Sequence, residues 1–486
     1  MMRFGVPRRL FQALTLCSLV LVSLGAPLVS ADEVVSEPRP NTPIEHFIYL
    51  MQENHSFDNY FGTYPGADGI PPNTCMPEDP TDSNDTKCIE PFHLGTRPVE
   101  DLDHNLITHE RQFRDGKMDG FVYAFRQEGK DGELTMGHYD DRDLPFYWNI
   151  ADEYVLFDRF FTSAKGGSVR NHMFWTTGKA GVADPRKDAI PGEGWGDLPT
   201  IFDRLQEQGI SWKFYVQNYD PNVTFRDRGT GDKSAQVVWV PLLAYARYLD
   251  DPNLSSHIVN LDQYYVDLAN DELPAVSFMV PSGASEHPPG SILAGQRFIK
   301  GLINALMQSD AWESSAFLWT YDDWGGWYDH VPPPIVDDWG YGFRAPALLV
   351  SPYAKRGYID STVLDFTSGL KFIEENWNLA PLAERDAKAN NFLTAFDFSQ
   401  PPREPRIIPS TRDVPEVRVP WRPGLYAPYT AAVILPTLII GFALIDPKAR
   451  SRKSALDAPR LRDRLRARLG DWRGRFASLP RHRGER

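Results

Sequence analysis

Six short apolar runs constrain what this 486-residue chain can fold into. They cover residues 44–51, 155–161, 210–216, 276–280, 316–321 and 345–350, and helix-like stretches such as 200–208, 292–308 and 368–376 fall between them. Runs of that length suit buried strands, and their alternation with helices predicts a parallel sheet covered by helices on both faces. Such sheets bind ligands at the carboxyl ends of their strands, so the residues that end each run carry the chemical information. The first run ends in Glu53-Asn54, and the turn formers Gly62, Pro65 and Gly66 follow. A carboxylate and an amide at a strand end offer two hard oxygen ligands. A strand leading into an ordinary polar loop is the plainer alternative for this segment taken alone.

The two ends of the chain point to export and a membrane. Residues 1–31 have the form of an export signal: Arg3, Arg8 and Arg9, an apolar stretch at 14–24, then Val29-Ser30-Ala31 as a cleavage site. Arg8-Arg9-Leu10-Phe11 resembles a twin-arginine core, and the ordinary secretory route fits nearly as well. In an exported protein the two remaining cysteines, Cys75 and Cys88, are most simply a disulfide. Residues 32–399 are expected to form the catalytic domain, and the proline-rich 400–422 an extended stalk. Residues 423–445 carry no charge; at about 1.5 Å per residue such a span crosses a bilayer core of about 30 Å. A buried C-terminal helix is the competing reading. Against it, residues 446–486 carry 14 Lys/Arg and 5 Asp/Glu, which suits a basic cytoplasmic tail behind a single transmembrane helix. The rest of the chain is strongly acidic and would repel nucleic acids. The catalytic domain is thereby expected outside the cell membrane, and nothing in the sequence fixes an oligomeric state.

Three further segments bring chemistry to expected strand ends. After 155–161, Gly166-Gly167 precede Ser168, with Asn171 and His172 one helical turn on. A serine at a glycine turn and a helix N-terminus lies where unpaired N–H groups attract phosphate, although an N-capping serine has the same signature. After 316–321 come Asp322-Asp323, a glycine pair, and then Asp329-His330. Adjacent carboxylates raise one another's pKa unless a cation lies between them, and a divalent metal suits such oxygens. A solvated acidic turn would need no metal, but Trp319, Trp324 and Trp327 surround the pair. After 276–280 comes Ser285-Glu286-His287-Pro288-Pro289, and Asp101-Leu102-Asp103-His104 lies upstream. Each histidine taken singly is more simply structural.

Taken in order, E-N-H-S-F-D-N-Y-F-G, D-x-x-H with G-K-M-D-G-F, G-G-S-x-x-N-H, S-E-H-P-P and Y-D-D-x-G-G-x-Y-D-H-V-P-P resemble the bacterial phosphoesterase family. That family contains phosphatidylcholine-type phospholipases C and related acid phosphatases, within the alkaline-phosphatase-like superfamily. The resemblance runs from about Ile44 to Trp377. It implies a three-layer α/β/α sandwich with a hydroxyl nucleophile and a divalent metal (Ca, Mn, Mg or Zn) at the strand ends. On that basis Glu53, Asn54, Asp322 and Asp323 are expected to bind the metal, and Ser168 to be the nucleophile. Asn171 and His172 are expected to contact substrate, and His104, His287 and His330 to serve as acid/base or phosphate-stabilising groups. Ser168 and His172 stand where the phospholipase branch commonly has threonine and arginine, closer to the acid phosphatases. The membrane span favours a phospholipid substrate, so the expectation is a phospholipase C, with an acid phosphatase second. A tethered, non-catalytic binding protein is the third reading, and retention of every expected ligand argues against it. Asn54-His55-Ser56 also matches a glycosylation sequon, but a glycan there would block the site.

Overall fold

The apolar runs assemble into one mixed sheet of eight strands. They are β1 His46–Gln52, β2 Val155–Phe157, β3 Trp212–Val216, β4 Ile258–Asn260, β5 Val276–Val280, β6 Ser315–Tyr321, β7 Ala347–Val350 and β8 Tyr358–Asp360. Their spatial order is β8-β2-β7-β6-β1-β5-β3-β4. All neighbours are parallel except at β7, which runs against both β6 and β2. The all-parallel expectation fails there because the chain returns from the carboxyl edge of β6 without a crossover helix, and only an antiparallel strand can follow. Two other differences concern length. The run 155–161 pairs as a strand only to Phe157, leaving isolated bridges at Phe160 and Phe161. β4 and β8, at three residues each, are too short to show periodicity.

The helices that frame the site are α1 Phe57–Phe61, α2 Leu106–Phe113, α3 Pro145–Glu153, α4 Ser168–Thr177, α5 Ile201–Glu207, α6 Asp262–Asn270, α7 Ile292–Met307 and α8 Phe366–Asn376. Strand register sorts the sheet's side chains between two helical layers. Tyr49, Phe278 and Phe214 share one face, where Trp175 of α4 and Phe202 of α5 meet them. Leu50, Met279, Tyr215 and Trp319 share the other, against Tyr147 of α3 and Tyr264 of α6. α8 packs on α4, and α7 on α3 and α6, so both faces are covered. Burying each of these large side chains is worth roughly 1.5–3 kcal/mol.

The computed structural model describes residues 39–412 apart from Pro185, together with Ile434, Pro436 and Leu438, and the chain divides into units Met1–Val414 and Pro415–Arg486. The expected signal (1–31), the span (423–445) and the tail (446–486) lie outside the described residues, save for Ile434, Pro436 and Leu438, which are helical. Among the described residues no helix is long and apolar enough to cross a membrane. Cys75 and Cys88 form the expected disulfide, with Cα atoms 5.3 Å apart.

The segment expected to be an extended stalk begins instead as a strap on the domain. Ile408 is 1% exposed, Trp312 Nε1 donates to Arg403 O (2.9 Å), and Asn149 Nδ2 donates to Pro409 O and Thr411 O (3.0 Å each). Prolines remove donors but leave carbonyls, so the strap accepts through its backbone carbonyls and donates chiefly through arginines: Arg403 to Glu153 O (3.1 Å) and Arg412 to Asn149 Oδ1 (3.1 Å).

Candidate active site

β1 and β6 are parallel neighbours with Gln52 opposite Tyr321, so the residues that follow each strand emerge side by side at the carboxyl edge. Glu53-Asn54 and Asp322-Asp323 thus meet as the sequence implied. Asn54 takes a left-handed conformation (φ 69°), which asparagine tolerates better than most residues. From there its backbone N donates to Asp322 Oδ1 (3.3 Å) and its Nδ2 to Asp323 Oδ1 (3.0 Å). Gly325 makes this approach possible, since a Cβ at that position would run into Asn54 O.

Ser168 is the first residue of α4, and Gly167 (φ 87°) occupies the capping position. The serine is therefore not an N-cap, and its Oγ donates to Asp323 Oδ2 (3.2 Å). Gly167 N donates to His104 O (3.2 Å), which ties the His104 loop to the serine turn. His104 donates from Nδ1 to Leu102 O (2.7 Å), leaving Nε2 3.0 Å from Asn54 Nδ2 and 3.9 Å from Asp323 Oδ2. The ring of His287 lies 5.8 Å from that of His104, and its Nδ1 donates to Pro288 O (2.7 Å). Ser168, His104 and His287 are all partly exposed, whereas Asn54, Asp322 and Asp323 are fully buried.

Three expected residues take other positions. Asn171 is fully buried and braces the turn, accepting from Ala164 N (2.9 Å) and donating to Gly167 O (3.2 Å). His172 donates from Nδ1 to Ser168 O (2.9 Å) and lies 3.8 Å from Asp322 Oδ2; burial lowers its pKa despite that carboxylate. His330 is not brought to the serine. Its Nδ1 is 2.7 Å from Asp58 Oδ2 and its Nε2 3.2 Å from Asp68 Oδ1, in a cluster where Arg344 also pairs with Asp58 (3.0 Å) and Asp329 (2.9 Å). Both ring nitrogens are thereby engaged by carboxylates remote in sequence.

The electrostatics identify what the strand-end cluster lacks. Burial, then Asp322 and Asp323, raise the Glu53 pKa well above the usual carboxylate range. Burial pushes Asp323 up to about 7 against the pull of His104, with Asp322 adding to the rise. For His104 burial opposes the charge, but Asp323 foremost holds its pKa up at about 9. Asn54 Oδ1 and Asp322 Oδ2 are buried without a hydrogen-bond partner. Among the described residues the only basic side chains within 4.0 Å of this set are His104 and His172, and burial disfavours the charge on His172. Buried carboxylates are ordinarily paired or bound to a metal, so Glu53, Asn54, Asp322 and Asp323 fit a divalent cation that prefers oxygen ligands. Sequence reasoning missed Trp239, whose indole N–H opposes the rise at Glu53, and Arg344; neither adjoins a strand-end motif. A cavity of about 420 Å³ lined by Phe174, Gly178, Trp339 and Arg385 opens at the other end of α4 and contains none of the site residues.

Phospholipase C B of Mycobacterium tuberculosis is 28% identical over 425 residues, covering 74% of this chain and 79% of that one. The non-hemolytic phospholipase C of Pseudomonas aeruginosa is 27% identical over 429 residues, covering 74% and 58%. A solved Vibrio parahaemolyticus protein of the alkaline phosphatase superfamily superposes with a TM-score of 0.34 and 14% identity over 73% of this chain and 72% of its own. The model of the phosphoesterase family matches residues 44–380. That span takes in every strand of the sheet and every residue of the strand-end site, and the chain belongs to the phosphoesterase family, as a hydrolase of phosphate ester bonds.

Proposed function

We propose that this enzyme is a metal-dependent phospholipase C that cleaves phosphatidylcholine-type lipids with Ser168 Oγ as nucleophile. The observation that carries the reading is the hydrogen bond from Ser168 Oγ to Asp323 Oδ2 (3.2 Å), at the edge of a buried carboxylate set. A divalent cation held by Glu53, Asn54, Asp322 and Asp323 would lower the serine pKa and polarise a phosphoryl oxygen. Ser168 Oγ attacks phosphorus, and the N-terminal dipole of α4 favours the negative charge there. His104 or His287 protonates the departing diacylglycerol alkoxide, since His104 is tied to the serine turn, the His287 ring lies 5.8 Å from that of His104, and both keep Nε2 clear of their backbone anchors. Water then cleaves the phosphoserine and releases the phosphorylated headgroup. Asn171 acts through the turn before the serine and His172 through the serine's own carbonyl, and His330 belongs to the scaffold.

The names of the relatives support a lipid phosphodiester substrate. The uncharged sequence of residues 423–445 and the basic tail behind it support an outer-face location; protease added to intact cells should then remove the catalytic domain. An acid phosphatase is the second reading, favoured by Ser168 and His172 in place of threonine and arginine. Ser168→Ala should lower kcat at least ~10³-fold on p-nitrophenyl phosphorylcholine, as loss of a nucleophile does. Retained turnover would remove the serine from its role. The ratio of wild-type turnover on phosphatidylcholine vesicles to that on p-nitrophenyl phosphate separates the two substrate readings.

A further inference from the structure

Between β5 and α7 lies a buried acid that none of these steps uses. Glu286 is 2% exposed, and its carboxyl is held by three phenols. Tyr147 Oη donates to Oε1 (2.5 Å), while Tyr60 and Tyr321 donate to Oε2 (2.7 Å each). The donors come from three elements that matter to the site. Tyr321 ends β6 immediately before Asp322, Tyr60 sits on α1 just after Glu53-Asn54, and Tyr147 belongs to α3. The backbone here is gripped as well. Glu53 N donates to Ser285 O (3.0 Å), and His55 Nε2 donates to Glu286 O (3.2 Å). Glu286 itself is left-handed (φ 71°), a conformation that persists only where the surroundings over-determine it. On the remaining side stands Gly295 of α7, where a Cβ would overlap the Glu286 carboxyl.

For stability alone this is a poor arrangement. Burial pushes the acid up to about 7, and the three phenols only partly offset that. A well-packed apolar side chain serves a core as well or better. What the carboxyl does achieve is to join the end of β6, α1 and α3 to the turn that carries His287.

We propose that Glu286 is a positioning residue: gripped by Tyr60, Tyr147 and Tyr321, it fixes the left-handed turn that presents His287 to His104 and to the leaving group. This rests on the reading of His287 as a proton donor. Donation to the leaving group matters for an alkoxide and little for p-nitrophenolate, which departs without a proton. The variants Glu286→Gln, Gly295→Ala, His287→Ala and the double variant Glu286→Gln/His287→Ala are therefore compared on p-nitrophenyl phosphorylcholine and on an unactivated alkyl phosphorylcholine ester. Glu286→Gln should lower kcat about tenfold or more on the alkyl ester and less than about twofold on the nitrophenyl ester, a fraction of a general acid's usual worth. Gly295→Ala should show the same split by displacing the carboxyl, although helix propensity alone favours alanine. In the His287→Ala background the Glu286→Gln effect should vanish. Equal losses on both esters, or a loss that persists without His287, overturn the proposal. If His287→Ala itself shows no leaving-group dependence, the proton-donor reading falls and the positioning role with it, a result distinct from failure of Glu286→Gln alone. Should Glu286→Gln not fold, Tyr147→Phe removes one donor and carries the same comparison.

Discussion

Two buried acidic clusters hang from the same two segments of this chain, and they are neutralised in opposite ways. Glu53-Asn54 and Asp322-Asp323 end β1 and β6; a few residues further on, Asp58 and Asp329 meet again beside α1. The second cluster contains its own cations. Arg344 is fully buried between Asp58 and Asp329, and His330 closes the other side of Asp58. Burial still raises Asp329 to about 6, against Arg344 and with Asp58 adding to the rise. Among the described residues the strand-end cluster meets no guanidinium or ammonium, and two of its oxygen atoms are orphaned. On the proposed reading the acidic group with a built-in guanidinium is scaffold, although Asp58, Asp329 and His330 lie close enough to hold an ion, and the group without one is the site for an external cation. The antiparallel return of β7 is what makes the difference, because it brings Arg344 back to the carboxyl edge just before Ala347.

The largest effects come from removing a charge on either side of this comparison. Asp322→Asn should lower kcat at least ~10³-fold, about 4 kcal/mol of lost transition-state stabilisation. In chelator the same variant should melt higher than wild type, because the like-charge repulsion that raises Glu53 and Asp323 is relieved. A lower melting temperature in chelator would mean that Asp322 has a cation within the protein after all. Arg344→Met should do the reverse. It strands Asp58 and Asp329 and should cost ~3–5 kcal/mol in urea unfolding, whereas a cost below ~1 kcal/mol would show that the cluster does not depend on its guanidinium.

Much of the first cluster was legible in the sequence, and the second was not. β1 and β6 are apolar runs whose ligands follow them directly, so strand and chemistry are contiguous and the parallel register does the rest. Ser168 was legible for a similar reason, through the glycine pair that precedes it. His330 was misplaced because Asp329-His330 looks like one more strand-end delivery. Its real partners, Asp58, Asp68 and Arg344, are scattered through the chain and meet only once β7 reverses. Asn171 was given to the substrate because it lies one turn from the serine, but that turn faces the Ala164–Gly167 backbone. The strap at 401–412 read as a stalk because proline density signals extension and does not say what the carbonyls will meet.

Metal removal should have a smaller effect, and it discriminates between the clusters. A cation bound at a hundredfold excess over its Kd stabilises the folded state by about 2.7 kcal/mol. Chelation should therefore lower the wild-type melting temperature and leave that of Asp322→Asn almost unchanged. Arg344→Met should lose as much to chelation as wild type does, since its defect lies in the other cluster. If chelation leaves the wild type's stability unaltered, Glu53, Asn54, Asp322 and Asp323 do not hold a cation.

His330 gives the smallest effect and the sharpest test of where the two clusters divide. Burial works against its charge, but the hydrogen bond and charge of Asp58, helped by Asp329, raise its pKa above the ordinary value. A histidine so raised is more protonated when folded, so it stabilises the protein below its ordinary pKa of about 6.5. That contribution is lost as pH rises from about 6.5 through the raised folded value. His330→Gln should remove this slope from the pH dependence of the melting temperature and cost about 1 kcal/mol at pH 6, the scale of a partly exposed pair. As a member of the scaffold cluster it should leave kcat on an unactivated alkyl phosphorylcholine ester, whose leaving group needs a proton, within about twofold, because no proton of the reaction reaches it. A general acid or base would instead lose on the order of 10²–10⁴-fold. A loss of that size would move His330 from the guanidinium cluster into the catalytic one, and the boundary between a self-neutralised scaffold and a metal-dependent site would have to be redrawn around it.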